Sequence, residues 1–257
     1  MVLAPGWDRY LRPARQAPKD RTAGADGQCR EGLESRGCYR LRRMNGRFIS
    51  FEGLDGSGKS SHLERSALWL RERGAECLVT KEPGGTPLGD ALRGVFLDPR
   101  WGEMDGTVEL LVVFASRRQH LLEQIDPALA AGVHVLCDRF TDSTLAYQGA
   151  ARGVPRDLID RVDDLATGGR RPVATLLFDL PPEVARERGH LTREESDRLD
   201  AEGLEFYRRV REGFLAEAER EPDRFWVIDS SGPFEETERQ TRAALRRIFD
   251  LAPEGRL

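Results

Sequence analysis

From residue 47 onward, short apolar runs alternate with longer stretches in which apolar residues recur every three or four positions. The runs RFISFE (47–52), ECLVT (76–80), VHVLC (133–137), ATLLFD (174–179) and FWVID (225–229) predict β-strands. The amphipathic stretches predict helices over 59–73, 87–97, 106–131, 155–167, 182–188, 201–220 and 234–250. Regular strand–helix alternation predicts an α/β fold with a five-stranded, mainly parallel sheet flanked by helices. In such folds ligands bind beyond the carboxyl ends of the strands. No internal repeat is present.

Residues 1–46 break the pattern. They are rich in Arg, Gly, Ala and Pro, show no sustained period and contain few large aliphatics, the composition of a disordered extension. One domain is therefore expected over 47–257. The segment MNGRFISFEG starts at Met44, just before the first predicted strand, so residues 1–43 are expected to be dispensable.

Composition narrows the function classes. The 257 residues are enough for one good-sized α/β domain or two small ones. A net charge of −4 argues against a dedicated nucleic-acid binder. The ten basic residues before Met44 are interspersed with five acids, which weakens the case for a nucleic-acid-binding arm. No apolar run approaches the ~20 residues that span a membrane, and the first residues lack the apolar region of a secretory signal. Cys29, Cys38, Cys77 and Cys137 form no C-x-x-C pair. They read as reduced thiols and point to the cytoplasm. The chain uses arginine almost everywhere, its only lysines being Lys19, Lys59 and Lys81.

Lys59 falls in GLDGSGKS, residues 53–60, which fits G-x-x-x-x-G-K-S between a predicted strand and a predicted helix. Glycines in this setting turn backbone N–H groups inward around phosphate oxygens. The following helix adds the positive end of its dipole. Gly53, Leu54, Asp55, Gly56, Ser57, Gly58, Lys59 and Ser60 are thus the candidate ATP-binding loop. Lys59 would reach the outer phosphates and Ser60 a Mg²⁺ ion. The run VHVLCDRF ends in Asp138 and Arg139. An acid at such a strand end commonly reaches the Mg²⁺ shell, and the arginine beside it can fork onto a phosphate.

The run LCDRFTDSTLAYQ (136–148) resembles the signature of the thymidylate kinases. So do TKEPGGTPLGDALR (80–93) and the loop EGLDGSGKSS, in the same order and spacing. The resemblance implies a P-loop nucleoside-monophosphate-kinase-like fold with a lid. It also implies transfer of the γ-phosphoryl group of ATP to dTMP, with Mg²⁺, in a homodimer.

By the same resemblance, Asp55 would accept a hydrogen bond from the deoxyribose 3′-OH. Arg93 and Arg139 would hold the 5′-phosphate, offsetting repulsion between donor and acceptor. Ser143, Thr144 and Gln148 would face the base, Arg117 would bond a thymine carbonyl, and Tyr147 would lie near C2′. Three positions depart from the family pattern. Lys81 stands where the family has Arg, which leaves a single-point contact but no fork. Val113 stands where many relatives have the stacking Phe. Phe114 is the candidate ring, the alternative being that it is a core residue. Arg117 and Arg118 are adjacent, and a helix that turns ~100° per residue lets only one of them face the base.

The segment ARERGHLTREESDRLD, 185–200, is polar, strongly charged and contains Gly189, which suits a lid over ATP; the alternative is a solvated loop. The variable positions of the phosphate loop, Leu54 to Ser57, hold no arginine. By analogy with the bacterial members of the family, lid arginines would supply the missing charge. Arg188 and Arg193, flanking a bend at Gly189, are the candidates, with Arg198 as a lid anchor. Two other readings stay open: a P-loop kinase acting on another nucleotide or nucleoside, and a P-loop protein that binds nucleotide without catalysis.

Overall fold

The structure is a computed structural model and describes residues 46–192 and 197–251. The extension expected over 1–46 falls outside the described residues apart from Gly46. Five strands, β1 (Phe48–Gly53), β2 (Cys77–Lys81), β3 (His134–Asp138), β4 (Ala174–Asp179) and β5 (Phe225–Asp229), form one sheet in the order β2-β3-β1-β4-β5. Every pairing is parallel. Between the strands run α1 (Lys59–Arg71), α2 (Pro87–Leu97), α3 (Gly106–His120), α4 (Asp126–Ala130), α5 (Thr141–Thr144), α6 (Arg156–Thr167), α7 (Pro182–Thr192), α8 (Leu204–Arg220) and, after β5, α9 (Phe234–Ile248).

Strand side chains alternate between two buried faces, as a parallel sheet covered on both sides requires. Ile49 and Phe51 of β1 join Leu136, Leu176 and Phe178 under α1 and α9, with Leu63, Leu70, Leu245 and Ile248. On the opposite face Leu177 and Phe225 pack with Phe206, Val210 and Phe214 of α8. Phe48, Val135 and Cys137 pack there with Leu121, Ile125 and Phe140. Ser50 and Glu52 share the Phe48 face of β1 and are fully buried. A carboxylate in the central strand of the sheet is costly unless it is bonded, and its partners belong to the site described below.

The helix predicted over 106–131 is interrupted. After α3, a π-helical turn spans Leu121–Ile125 and α4 follows. Asp126 N–H bonds Leu121 O across this wide turn. Pro127 lies directly beyond it and has no N–H to donate, so a regular α ladder would be broken there. A second π-helical segment, Leu145–Ala151, continues α5. The apolar periodicity did not predict α5 or this segment, because both faces are buried: Thr141 to Gln148 are all inaccessible. The expected bend at Gly189 is corrected: α7 runs through it to Thr192.

Candidate active site

The carboxyl ends of β1 and β3 lie side by side, Phe51 in register with Asp138, and β2 adds Lys81 opposite Asp138. The loop after β1 turns at Gly53, whose φ of 140° and close approach to Phe178 O suit glycine alone. It ends at Gly58, a left-handed N-cap of α1 with no side-chain cap. The first-turn N–H groups of α1 are therefore free of a competing side chain, the arrangement that receives an anion. Lys59, nearly buried, donates to Asp55 Oδ1 at 3.0 Å and lies 3.8 Å from Asp138 Oδ1. Ser60 Oγ donates to Asp138 Oδ2 at 2.6 Å. These residues, with Lys81 and Arg188, line a large open groove.

A second, narrower pocket adjoins the groove. Its lining includes Phe96, Val113, Arg117, Phe140, Ser143, Thr144, Tyr147 and Gln148. Asp55, Glu82, Arg93 and Arg139 line both cavities and so mark where they meet. Arg139 has a left-handed backbone, φ 74°. Such a conformation is uncommon for a side-chain-bearing residue and persists where the surroundings hold it. Here Arg139 N–H donates to Phe51 O and the Cys137 thiol donates to Arg139 O. The guanidinium then fans out to Asp55 Oδ1 at 2.8 Å, Ser143 Oγ at 3.0 Å and Tyr147 Oη at 3.3 Å.

Arg93 donates to Pro83 O at 3.2 Å. Its ionisation is pulled below the usual arginine value by burial first and by the neighbouring Arg139 charge second. Two crowded cations are a natural receptor for a phosphate. Arg117 is fully buried, its Nε bonded to Glu82 at 2.7 Å and its Nη2 to Thr144 at 3.1 Å, while Nη1 has no hydrogen-bond partner. Glu82 also bonds His120, whose other ring nitrogen meets Thr80 Oγ1 at 2.6 Å. Glu52 accepts from Phe140 N–H at 2.7 Å and from Ser143 Oγ at 2.5 Å, so it clamps the turn that carries Arg139. Burial, and then the Asp142 carboxylate, push its carboxyl up to about 8.

A family model described as thymidylate kinase matches residues 51–241. The chain belongs to the thymidylate kinase family. It is 48% identical over 203 residues to a thymidylate kinase of Geobacillus sp. (strain WCH70), covering 79% of this chain and 97% of that one. It is 45% identical over 210 residues to one from Desulfosudis oleivorans, covering 79% of this chain and 98% of that one. A crystal structure of thymidylate kinase from Ehrlichia chaffeensis superposes with a TM-score of 0.63 at 33% identity, over 79% of this chain and 99% of that chain.

Among the residues expected to act in this thymidylate kinase family member, the structure brings Asp55, Arg93, Arg117, Arg139, Ser143, Thr144, Tyr147 and Gln148 into one pocket. It separates the two adjacent arginines: Arg117 enters the pocket, and Arg118 donates to Ala166 O on α6. Lys81 is exposed and lines the groove, not the narrower pocket. The expectation for Phe114 is corrected. Its ring is buried among Leu110, Leu145, Ile159 and Ala166, with the Arg117 guanidinium 4.4 Å from its centroid, and it does not line the pocket. The aromatic ring brought to that wall from α2 is Phe96. Arg188 donates to Ser230 O at 2.8 Å and Ser231 O at 2.9 Å. Arg193 lies outside the described residues. Arg198 is buried against α3 and the end of α2, where it donates to Glu109 and Phe96 O.

Sequence reasoning missed Glu52, Glu82, Phe96 and Glu109. Glu52 carried one signal, a charge inside an apolar strand. The other three become functional candidates only through what they touch across the fold.

Proposed function

We propose that this chain transfers the γ-phosphoryl group of ATP to the 5′-phosphate of dTMP, forming dTDP and ADP, with Mg²⁺, as a cytoplasmic homodimer. The observation that carries the reading is the junction of the two cavities. One is floored by a phosphate loop and an uncapped helix N-terminus, the other ends in Arg93 and Arg139, and both share those arginines. A donor in the groove and an acceptor in the pocket would meet at that pair of cations. The charge there offsets repulsion between two phosphates and the negative charge of the transition state. The acceptor oxygen of a nucleoside monophosphate is already anionic at pH 7, so catalysis is positioning and charge stabilisation without a general base.

Asp138 Oδ1 is buried without a hydrogen-bond partner beside the Ser60 hydroxyl. This oxygen pair fits Mg²⁺, which takes one or two protein oxygens and completes its shell with phosphates and water. Ser60 and Asp138 would hold the ion, which when bound neutralises charge on the outer phosphates. In the pocket, the unpartnered Arg117 Nη1 supports contact with a base carbonyl, and Phe96 offers a face to the base. Tyr147, held by Arg139, closes the sugar side.

Support for the dimer comes from Val108 and Leu111 of α3, Leu88 and Val95 of α2 and Leu165 of α6, all exposed on neighbouring helices. The cytoplasmic placement is supported by the free thiols of Cys77 and Cys137 among the described residues. No helix among the described residues is long and apolar enough to cross a membrane.

The test is ADP release measured with ATP and Mg²⁺ against dTMP, dUMP, dCMP, UMP, AMP and thymidine. The expected result is strong preference for dTMP. Preference for another acceptor would replace the substrate, and ADP release with none of them would favour a non-catalytic nucleotide binder.

A further inference from the structure

Pyrimidine bases differ in the order of hydrogen-bond donors and acceptors along their edges. Two polar side chains in the lining of the narrower pocket, Arg117 and Gln148, are nearly inaccessible, at 1% and 3% exposure. A guanidinium only donates, and Arg117 Nη1 has no hydrogen-bond partner among the described residues. A glutamine amide can play either part, since its Oε1 accepts, its Nε2 donates, and a half-turn exchanges them. The pattern that the pocket offers therefore turns on what holds Gln148.

Gln148 is held by Glu109, which does not itself line the pocket. Gln148 Nε2 donates to Glu109 Oε2 at 2.8 Å. Glu109 is fully buried in the first turn of α3. Its other oxygen, Oε1, accepts from Arg198 Nη1 at 2.8 Å and from Arg152 Nε at 3.1 Å. Flanked by two cations that can only donate, the group is a carboxylate, and a carboxylate has no proton to give. The Gln148 amide can thus meet it only with Nε2. Turning the amide over would set two buried acceptors against each other and leave both unsatisfied. Oε1 is the end of the amide left for the pocket.

The pocket then presents one fixed donor, Arg117 Nη1, and one fixed acceptor, Gln148 Oε1. Thymine and uracil offer the complement, a carbonyl that accepts beside an N3–H that donates. Cytosine offers the inverse on that edge: its N3 accepts and its 4-amino group donates.

We propose that Glu109 is a positioning residue that sets the choice of a 4-oxo over a 4-amino pyrimidine, by fixing which end of the Gln148 amide faces the base. The proposal rests on the dTMP-kinase reading above. It draws no distinction between thymine and uracil, which share this edge.

The experiment is calorimetric titration of the full chain with dTMP, dUMP and dCMP, for the unaltered protein and for Glu109→Gln. In that variant the introduced amide must still turn its carbonyl to Arg152 and Arg198, so its NH₂ faces Gln148. Gln148 then accepts, and shows its own NH₂ to the pocket. The unaltered chain is expected to bind dTMP roughly 10²-fold more tightly than dCMP, the scale of a buried polar group left unpaired. Glu109→Gln is expected to bring that ratio below about tenfold while the dTMP to dUMP ratio stays as it was. A loss of general stability would lower all three affinities and leave both ratios intact. If Glu109→Gln does not fold, Gln148→Met, which keeps the volume and removes the amide, decides: its dTMP to dCMP ratio should fall in the same way. An unchanged dTMP to dCMP ratio in a folded variant overturns the proposal, as does a dTMP to dUMP ratio that falls with it. Binding of dTMP without preference over dCMP in the unaltered chain overturns the role of Glu109 alone. Failure of the unaltered chain to bind dTMP at all overturns the functional reading, and the role of Glu109 with it.

Discussion

Arg139 Nη2 lies 2.8 Å from Asp55 Oδ1, and the same oxygen lies 3.0 Å from Lys59 Nζ. One carboxylate of the phosphate loop therefore bridges the lysine that faces the donor groove and the arginine that faces the acceptor pocket. Asp55 holds both cations in place, and under the proposed function phosphates would compete with it for them. Its own position at the junction of the cavities also suits a sugar hydroxyl.

Replacing Lys59 by Ala removes the compact charge in the loop. Turnover is expected to fall by roughly 10²-fold or more, the scale of one lost transition-state charge contact. Coupled ADP-release kinetics with ATP, Mg²⁺ and dTMP measure it. Near-normal turnover in a folded variant would contradict the assignment of the loop.

The two phenylalanines make opposite predictions. Phe96→Ala should raise KM for dTMP about tenfold, in line with the ~1–3 kcal/mol of a base–aromatic stack. Phe114→Leu should lower thermal stability and leave that KM nearly unchanged, because its ring is core. Steady-state kinetics and melting curves on both variants separate the roles, and the reverse pattern would restore Phe114 as the stacking ring.

Glu52 gives a pH signature. Its folded pKa, about 8, lies above the unfolded carboxylate value of 4.5, owing to burial first and Asp142 second. The folded state thus keeps a proton that the unfolded chain releases. This contribution to stability is full below about 4.5, and it is lost as pH rises towards 8. Glu52→Gln, a mimic of the neutral acid, should flatten that slope. Urea midpoints taken across this window for both proteins test the point, and a parallel slope in the Gln variant would rule Glu52 out as its source.

Arg188 sits in the groove wall with two carbonyl partners on the β5–α9 loop. If it supplies charge to the transferred phosphoryl group, Arg188→Ala lowers kcat by roughly 10²-fold or more, with KM for dTMP little changed. Single-turnover measurements distinguish this from a role in holding ATP, which would raise KM for ATP and spare the chemical step.

Introducing a charge at Leu111, which is 56% exposed on α3, should dissociate the proposed dimer. Size-exclusion chromatography with light scattering on Leu111→Glu should report one chain mass where the unaltered protein reports two. A protein that is monomeric before substitution would dismiss the dimer.

The sequence by itself determined the order of strands and helices, since alternating apolar runs and amphipathic periods depend on neighbours a few residues apart. It also determined the phosphate loop and the Asp138–Arg139 strand end, because both are contiguous motifs whose geometry is set by local backbone needs. The helical segment at 141–151 was not legible, since its residues 141–148 are all buried and leave no polar face to mark its period. Nor was the length of α7, where Gly189 read as a bend and the structure runs the helix through it.

Tertiary structure alone decided which arginine of the 117–118 pair enters the pocket, which ring lines it, and what Glu52, Glu82 and Glu109 do. Those outcomes depend on residues far apart in the chain: Glu109 meets Arg198 and Gln148, and Glu52 meets Phe140 and Ser143, only once the sheet is ordered and its faces are covered. A side chain's rotation about its helix can be read from spacing to within one neighbour. Whether that direction is core or cavity is set by what packs opposite, and packing is a property of the whole fold.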